Sequence, residues 1–254
     1  MNPTVSLAIF THNDLPMLKA TLLHEQRWVD QVCILDMASA DGTQEFCEAW
    51  LRPGVDVYRR RDTNTCPDLG FSEAKNAVMD MATSDWVLCA GADTIMDWRQ
   101  APNIKRVLAE VKADALSINT VSILPFKECQ PHQIEEAVAR KNFGKDGRHR
   151  CFVRRGSGIV FKGYIHEEPF RGEVNVFGEA QLTQLSRFHL HGWGNDNLRS
   201  WRYGWMLLRA WQREPALQAY TNEWWYKEYC PQNADLLKRQ SEAYEEYRQK
   251  TGDR

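Results

Sequence analysis

The stretch Phe71–Thr94, FSEAKNAVMDMATSDWVLCAGADT, decides how this chain is read. It predicts a helix over Ser72–Ala82, a short apolar strand over Trp86–Ala90, and then Asp93 just past the strand's C-terminal end. In an open α/β sheet that edge is where ligands bind. An aspartate there, after the small pair Gly91 and Ala92, suits a ligand for a metal–diphosphate group; a surface or capping aspartate is the plainer alternative.

Working outward, strand and helix alternate. Val5–Phe10 is an apolar strand, and Thr11-His12-Asn13-Asp14 a polar turn that can cap a helix over Leu15–Arg27. Gln31–Asp36 is a second buried strand, Thr43–Leu51 a helix, and Val55–Arg59 a third strand; Asp41 with Gln44 resembles a capping box. A helix near Ala101–Val111 and a strand at Ala115–Val121 continue the series. Such alternation with short connections argues for a mostly parallel sheet with helices on both faces. Residues 122–147 carry no clean period and hold the breakers Pro125, Pro131, Gly144 and Gly147, which reads as a loop or insertion over the site. Arg150–Arg154 and Ile159–Phe161 alternate like antiparallel strands around the turn at residues 155–158.

Beyond Gly192 the chain is rich in Trp, Tyr and Arg and reads helical to its end. Trp201, Trp205, Leu208 and Trp211 recur at helical spacing and are expected to face the core. Arg199, Arg202, Arg209 and Arg213 lie on or near the other face, as snorkelling arginines or as part of an aromatic acceptor platform. Ala234–Lys250 is a charged amphipathic helix. The expected division is residues 1–121 for the α/β half, 122–195 for the half with a catalytic loop, and 196–254 for a helical extension, within one compact domain.

The chain has 254 residues, 43% of them hydrophobic, and a net charge of −2, so a strong overall pull toward nucleic acid or anionic membrane is absent. Seven cysteines make no CxxC pair, and Cys33 and Cys89 fall in apolar runs, which fits free thiols in a reducing compartment. With no secretory leader and no long apolar run, a cytoplasmic protein is expected.

Four segments together resemble the family-2 glycosyltransferases, which have the GT-A fold: VSLAIFTHND, ILDMASADGT, FSEAKNAVMDMATSDWVLCAGAD, and GIVFKGYIHEEPF followed by FHLHGWG. They span about residues 4–194. The resemblance implies a Rossmann-like, GT-A sheet with a C-terminal helical extension, and transfer of a sugar, with inversion, from a nucleotide-diphosphate donor to an acceptor hydroxyl. A UDP-sugar is the expected donor. The acceptor is a saccharide or a hydroxylated nucleobase in DNA.

The same resemblance assigns roles. Asp36 would meet the base or ribose, since a carboxylate accepts N–H and O–H groups. Thr11 and Asn13 would touch the nucleotide, or only form the turn. Lys75 and Asn76 stand where the family has Arg-Asn, so a cation meets the base or phosphates without a bidentate fork. Of the family's Asp-x-Asp pair only Asp93 remains, Gly91 standing at the first position. Asp93 with His191 would hold a divalent cation, Mn2+ or Mg2+, against the diphosphate. Glu167 would be the base that takes the acceptor's proton, with His166 beside it. Gly91 also keeps open a non-catalytic nucleotide- or glycan-binding module. A nucleotidyltransferase would want a glycine-rich phosphate loop, which residues 8–16 lack.

Overall fold

A computed structural model describes residues 2–124, 130–141, 143–144, 148–177, 179–190 and 196–251. The N-terminal half runs β1 (Val5–Thr11), α1 (Leu15–Glu25), β2 (Gln31–Asp36), α2 (Thr43–Trp50), β3 (Val57–Arg60), α3 (Cys66–Leu69), α4 (Phe71–Met79), β4 (Trp86–Ala90), β5 (Thr94–Met96), α5 (Ala101–Glu110) and β6 (Ala115–Ile123). It continues with α6 (Ile134–Ala139), β7 (Phe143–Gly144), β8 (Arg148–Arg154), β9 (Ile159–Lys162), β10 (Glu168–Arg171), β11 (Val174–Asn175), β12 (Ala180–His189), α7 (Asp196–Leu208), α8 (Cys230–Gln232) and α9 (Ala234–Thr251).

The main sheet has the order β3-β2-β1-β4-β8-β6-β12-β5, with β7 on β6. Strands β3, β2, β1 and β4 are mutually parallel, and β6 pairs parallel with β12. Every residue of β2 and of β4 is buried, as expected for parallel strands covered on both faces. Alternate side chains sort to two cores. Leu7, Ile9, Ile34, Trp86 and Leu88 pack with α1 and α5 on one face. Ala8, Cys33, Leu35, Val87 and Cys89 pack with α4, α7 and α9 on the other. The helical C-terminal region follows the sheet: α9 buries Leu237, Ser241 and Tyr244, the i, i+4, i+7 stripe of one helix face. Gly204 of α7 lets the two helices close, because a Cβ there would overlap the Gln240 side chain. No helix among the described residues is long and apolar enough to cross a membrane.

Several sequence expectations are corrected. Residues 148–154 and 159–162 do not form a hairpin: β8 lies antiparallel between β4 and β6, whereas β9 pairs with β10 in a separate small sheet. The turn between them passes through Gly156 and Gly158 at positive φ (78° and 71°), and the chain leaves the main sheet there. The short edge strand β5, antiparallel to β12, follows Asp93 directly and was not expected. The described part of 122–147 is not a loop over the site; Ile134, Ala137 and Val138 of α6 are buried in the core. Asp41 forms no capping box with Gln44, since Gly42 precedes α2. Its carboxylate instead accepts the Leu15 N–H (2.8 Å) and the Thr43 hydroxyl (2.6 Å), tying the starts of α1 and α2 together.

Candidate active site

A cavity of about 380 Å³ opens at the C-terminal ends of β1 and β4, covered by α4, the Gly163–Glu167 loop and α7. This is where the strand ends of a parallel sheet leave room for a ligand. Thr11, Asn13, Lys75, Asp93, His166 and Glu167 all line it. Asp36 and Asn76 do not, and His191 lies outside the described residues.

Asp93 follows the turn Gly91-Ala92. Its carbonyl accepts the Leu190 N–H (2.7 Å), which fixes the turn against the end of β12. Carboxylate Oδ2 meets His189 Nε2 at 3.2 Å and accepts Arg199 Nη1 at 2.9 Å. Arg199, on α7, also donates through Nη2 to Asp14. One guanidinium thus bridges the loop after β1 and the loop after β4. Burial alone would raise the Asp93 carboxyl; the His189 contact and the Arg199 charge overcome it and hold the group well below the usual carboxylate range. Asp14 moves the other way, since burial outweighs Arg199 and Asp93 adds like-charge repulsion.

Lys75 and Glu167 form the second ion pair, Lys75 Nζ on Glu167 Oε1. The ammonium also lies 4.6 Å from the Phe161 ring centroid. Burial opposes ionisation of Glu167, but Lys75 prevails and the carboxyl is lowered. Asn76 sets this geometry from behind. Its side chain donates to the Phe161 carbonyl and accepts the Phe161 N–H, both at 2.8 Å, as a partner strand would. The Phe71 N–H donates to the Tyr164 carbonyl (2.9 Å), so α4 carries the Glu167 loop on its first turn. Gly70 makes that approach possible: its φ is 85° and a Cβ would sit 2.7 Å from Tyr164 Cα. His166 takes φ 55°, and its ring stacks on Trp225 with centroids 3.7 Å apart.

The other expected residues fall as follows. Thr11 is buried on the cavity wall, with no hydrogen-bond partner for its Oγ1 among the described residues. Asn13 lines the cavity but its backbone and side chain also clasp the loop after β2, through Ser39 Oγ (3.0 Å) and the Ala40 N–H (2.7 Å). Asp36 is fully buried. Its oxygens accept the Ser39 N–H, the Tyr58 hydroxyl (2.8 Å) and Arg60 (2.9 Å), which leaves it an internal brace away from the cavity. Asp14, Arg187 and Tyr203 are neighbours that the sequence reading does not place at the site; it favours His191 over His189, and it reads Arg199 and Arg202 as snorkelling side chains or an acceptor platform. Two signals pointed to them: Asp14 directly follows Asn13, and Arg199 and Arg202 share one helix face at i, i+3 spacing.

A divalent cation held by the protein does not fit the described donors. Asp93 Oδ2 is engaged by His189 and Arg199, and no group of three His, Cys, Asp or Glu side chains is placed to hold a metal among the described residues.

The model of the family described as Glycosyl transferase family 2 matches residues 6–158, more than half of the chain. The chain belongs to that family. It is similar to the SPbeta prophage-derived glycosyltransferase SunS of Bacillus subtilis (strain 168), 24% identical over 167 residues covering 66% of this chain and 35% of SunS. The chain therefore spans about a third of the length of the curated relatives it matches. Among solved structures it is similar to the mannosyltransferase PcManGT from Pyrobaculum calidifontis in complex with GDP-Man and Mn2+ (TM-score 0.49, 16% identity, 96% of this chain and 76% of that one). S. aureus TarS 1-349 in complex with UDP is similar to the same degree (TM-score 0.49, 15% identity, 92% and 75%).

Proposed function

We propose that this protein transfers a sugar, with inversion, from a nucleotide-diphosphate donor to an acceptor hydroxyl, a UDP-sugar being the first donor to test. The observation that carries this reading is one cavity in which two of the lining carboxylates have different employment: Glu167 kept ionised beside Lys75, and Asp93 bound to Arg199 and His189. The acceptor oxygen bonds to the anomeric carbon as the bond from that carbon to the β-phosphate oxygen breaks. The electron pair of that bond leaves on the nucleoside diphosphate, and the acceptor's proton passes to the Glu167 carboxylate. Lys75 holds the carboxylate in its basic form. Asn13 and Thr11 lie beside the strand end where the nucleotide would rest. Similar structures that bear a metal, PcManGT with Mn2+ and glucosyl-3-phosphoglycerate synthase with Mg2+, make Mn2+ or Mg2+ the cation to try. For the acceptor we favour a saccharide over a modified nucleobase in DNA. Trp224, half exposed, packs edge-on against Trp225, which backs His166, and such an aromatic surface suits a sugar face.

Glu167→Gln tests the reading. A panel of nucleotide sugars is screened by thermal shift, since a ligand that binds only the native state raises Tm, and the hits are assayed for hydrolysis and transfer. The wild type should bind and turn over a donor; Glu167→Gln should bind it and not turn it over. Equal turnover by both proteins removes Glu167 as the base. Tight binding with no turnover by the wild type identifies the non-catalytic module that Gly91 keeps open.

A further inference from the structure

We propose that Arg199 supplies the positive charge for the donor's diphosphate, so that nucleoside diphosphate binding does not require a divalent cation. The proposal rests on the donor reading above and adds the means by which the leaving group is neutralised.

Three observations converge on it. First, the position that would carry a second metal-binding carboxylate is Gly91, and a Cβ built there would overlap Asp93 Oδ1. A side chain at 91 would require the Asp93 carboxylate to turn from its present position. Second, Arg199 already occupies the acidic pair, with Nη1 on Asp93 and Nη2 on Asp14. A guanidinium presents its N–H groups in a rigid fork that matches carboxylate and phosphate oxygens alike, so it is suited to exchange one for the other. Third, the cavity wall sets four cationic side chains (Lys75, Arg187, Arg199, Arg202) against three carboxylates (Asp14, Asp93, Glu167). Among the described residues that balance is positive before any metal enters. Arg202 Nε and Thr11 Oγ1 are buried on the same wall without hydrogen-bond partners among the described residues, and both can donate to a ligand oxygen.

As the glycosidic bond breaks, negative charge grows on the β-phosphate oxygen that receives the electron pair. A preorganised guanidinium stabilises that charge directly. Asp14 and Asp93 then act as positioning residues that hold Arg199 between the two loops.

The test is calorimetric titration of the full chain with inorganic pyrophosphate, UDP and GDP, each in EDTA and in Mn2+, for wild type, Arg199→Gln, Arg199→Lys and the double variant Arg199→Gln with Asp14→Asn. The double variant removes the charge left unpaired by the single one, and thermal melts establish that each protein is folded. Wild type should bind in EDTA, with Mn2+ changing affinity by less than about threefold, and Arg199→Gln should weaken binding in EDTA by about tenfold to a hundredfold. Arg199→Lys should recover part of the loss. Binding that demands Mn2+ and is indifferent to Arg199 overturns the inference while leaving the donor reading in place. Failure of UDP, GDP and pyrophosphate to bind under either condition overturns the donor reading, and the inference with it.

Discussion

Lys75→Met tests the proton-accepting role of Glu167 without altering Glu167 itself. The two side chains are 19% and 12% exposed, so the pair is largely sheltered from solvent screening. Methionine keeps an unbranched chain against the Phe161 ring but removes the charge that opposes the burial of Glu167. Removing one partner of a buried pair costs about 3–5 kcal/mol, because the other charge is left uncompensated. Residual exposure argues for the low end, about 3 kcal/mol. The same change should raise the Glu167 carboxyl, because the largest influence opposing its burial is gone. A base works only when deprotonated, so the acid limb of the pH–rate profile should move to higher pH. The rate at high pH should be affected far less.

Stability gives an independent reading with a definite sign. In the wild type the Glu167 carboxyl lies below its ordinary value, so its contribution is fully present above that value and is lost as pH falls through the lowered one. In the variant the raised carboxyl reverses this, and stability drains away as pH climbs from the ordinary value to the raised one. The Tm difference between wild type and Lys75→Met should therefore widen as pH rises from below the ordinary carboxyl value to above it. The assay is the pH–rate profile of donor hydrolysis for both proteins, with melts across the same range. An acid limb in Lys75→Met that superimposes on the wild type would refute the reasoning.

Gly70→Ala forces a side chain into a left-handed position 2.7 Å from Tyr164 backbone atoms. It should cost about 2–3 kcal/mol and lower Tm by about 4–10 °C, and it should reduce kcat as α4 and the Glu167 loop part. Gly91→Asp, which writes the family's two-carboxylate motif back into the chain, should lower activity with or without Mn2+, because the new side chain displaces the Asp93 carboxylate; increased Mn2+-dependent activity would contradict this. Arg60→Met removes the cation from fully buried Asp36 and should destabilise the protein by about 1–3 kcal/mol in thermal melts. Its donor affinity, measured by titration, should remain near that of the wild type.

The central strands were legible because burial on both faces leaves a mark that sequence cannot hide. VSLAIF, QVCILD and WVLCA are continuous apolar runs, and the structure places them side by side at the middle of the sheet. The order of the later strands was not legible. Strand β8 owes its place to pairing with β4 and β6, which lie far from it in sequence, and no local period reports that choice. Asp36 illustrates the same limit at the site. A carboxylate at the end of a parallel strand reads as a ligand contact, yet Tyr58 and Arg60 of the neighbouring strand turn inward to consume it. Asn76 reads as half of a binding pair, yet its amide serves as a backbone mimic for β9.

The arginines of α7 were assigned to the face away from the core, and that is correct for the helix taken alone. The sheet edge leaves a cavity under part of that face, so Arg199 and Arg202 point into the cavity wall rather than into bulk water. Their placement depends on α9 as much as on the sheet, since Gly204 and Gln240 meet at the close approach of the two helices. The C-terminal helices are thus a third side of the site. Strand ends supply Asp14 and Asp93, α4 and its loop supply Lys75 and Glu167, and α7 supplies the cation that joins the first two carboxylates. Each of these five groups is fixed by an element whose own packing is apolar, which is what allows them to share one small cavity in defined pairs.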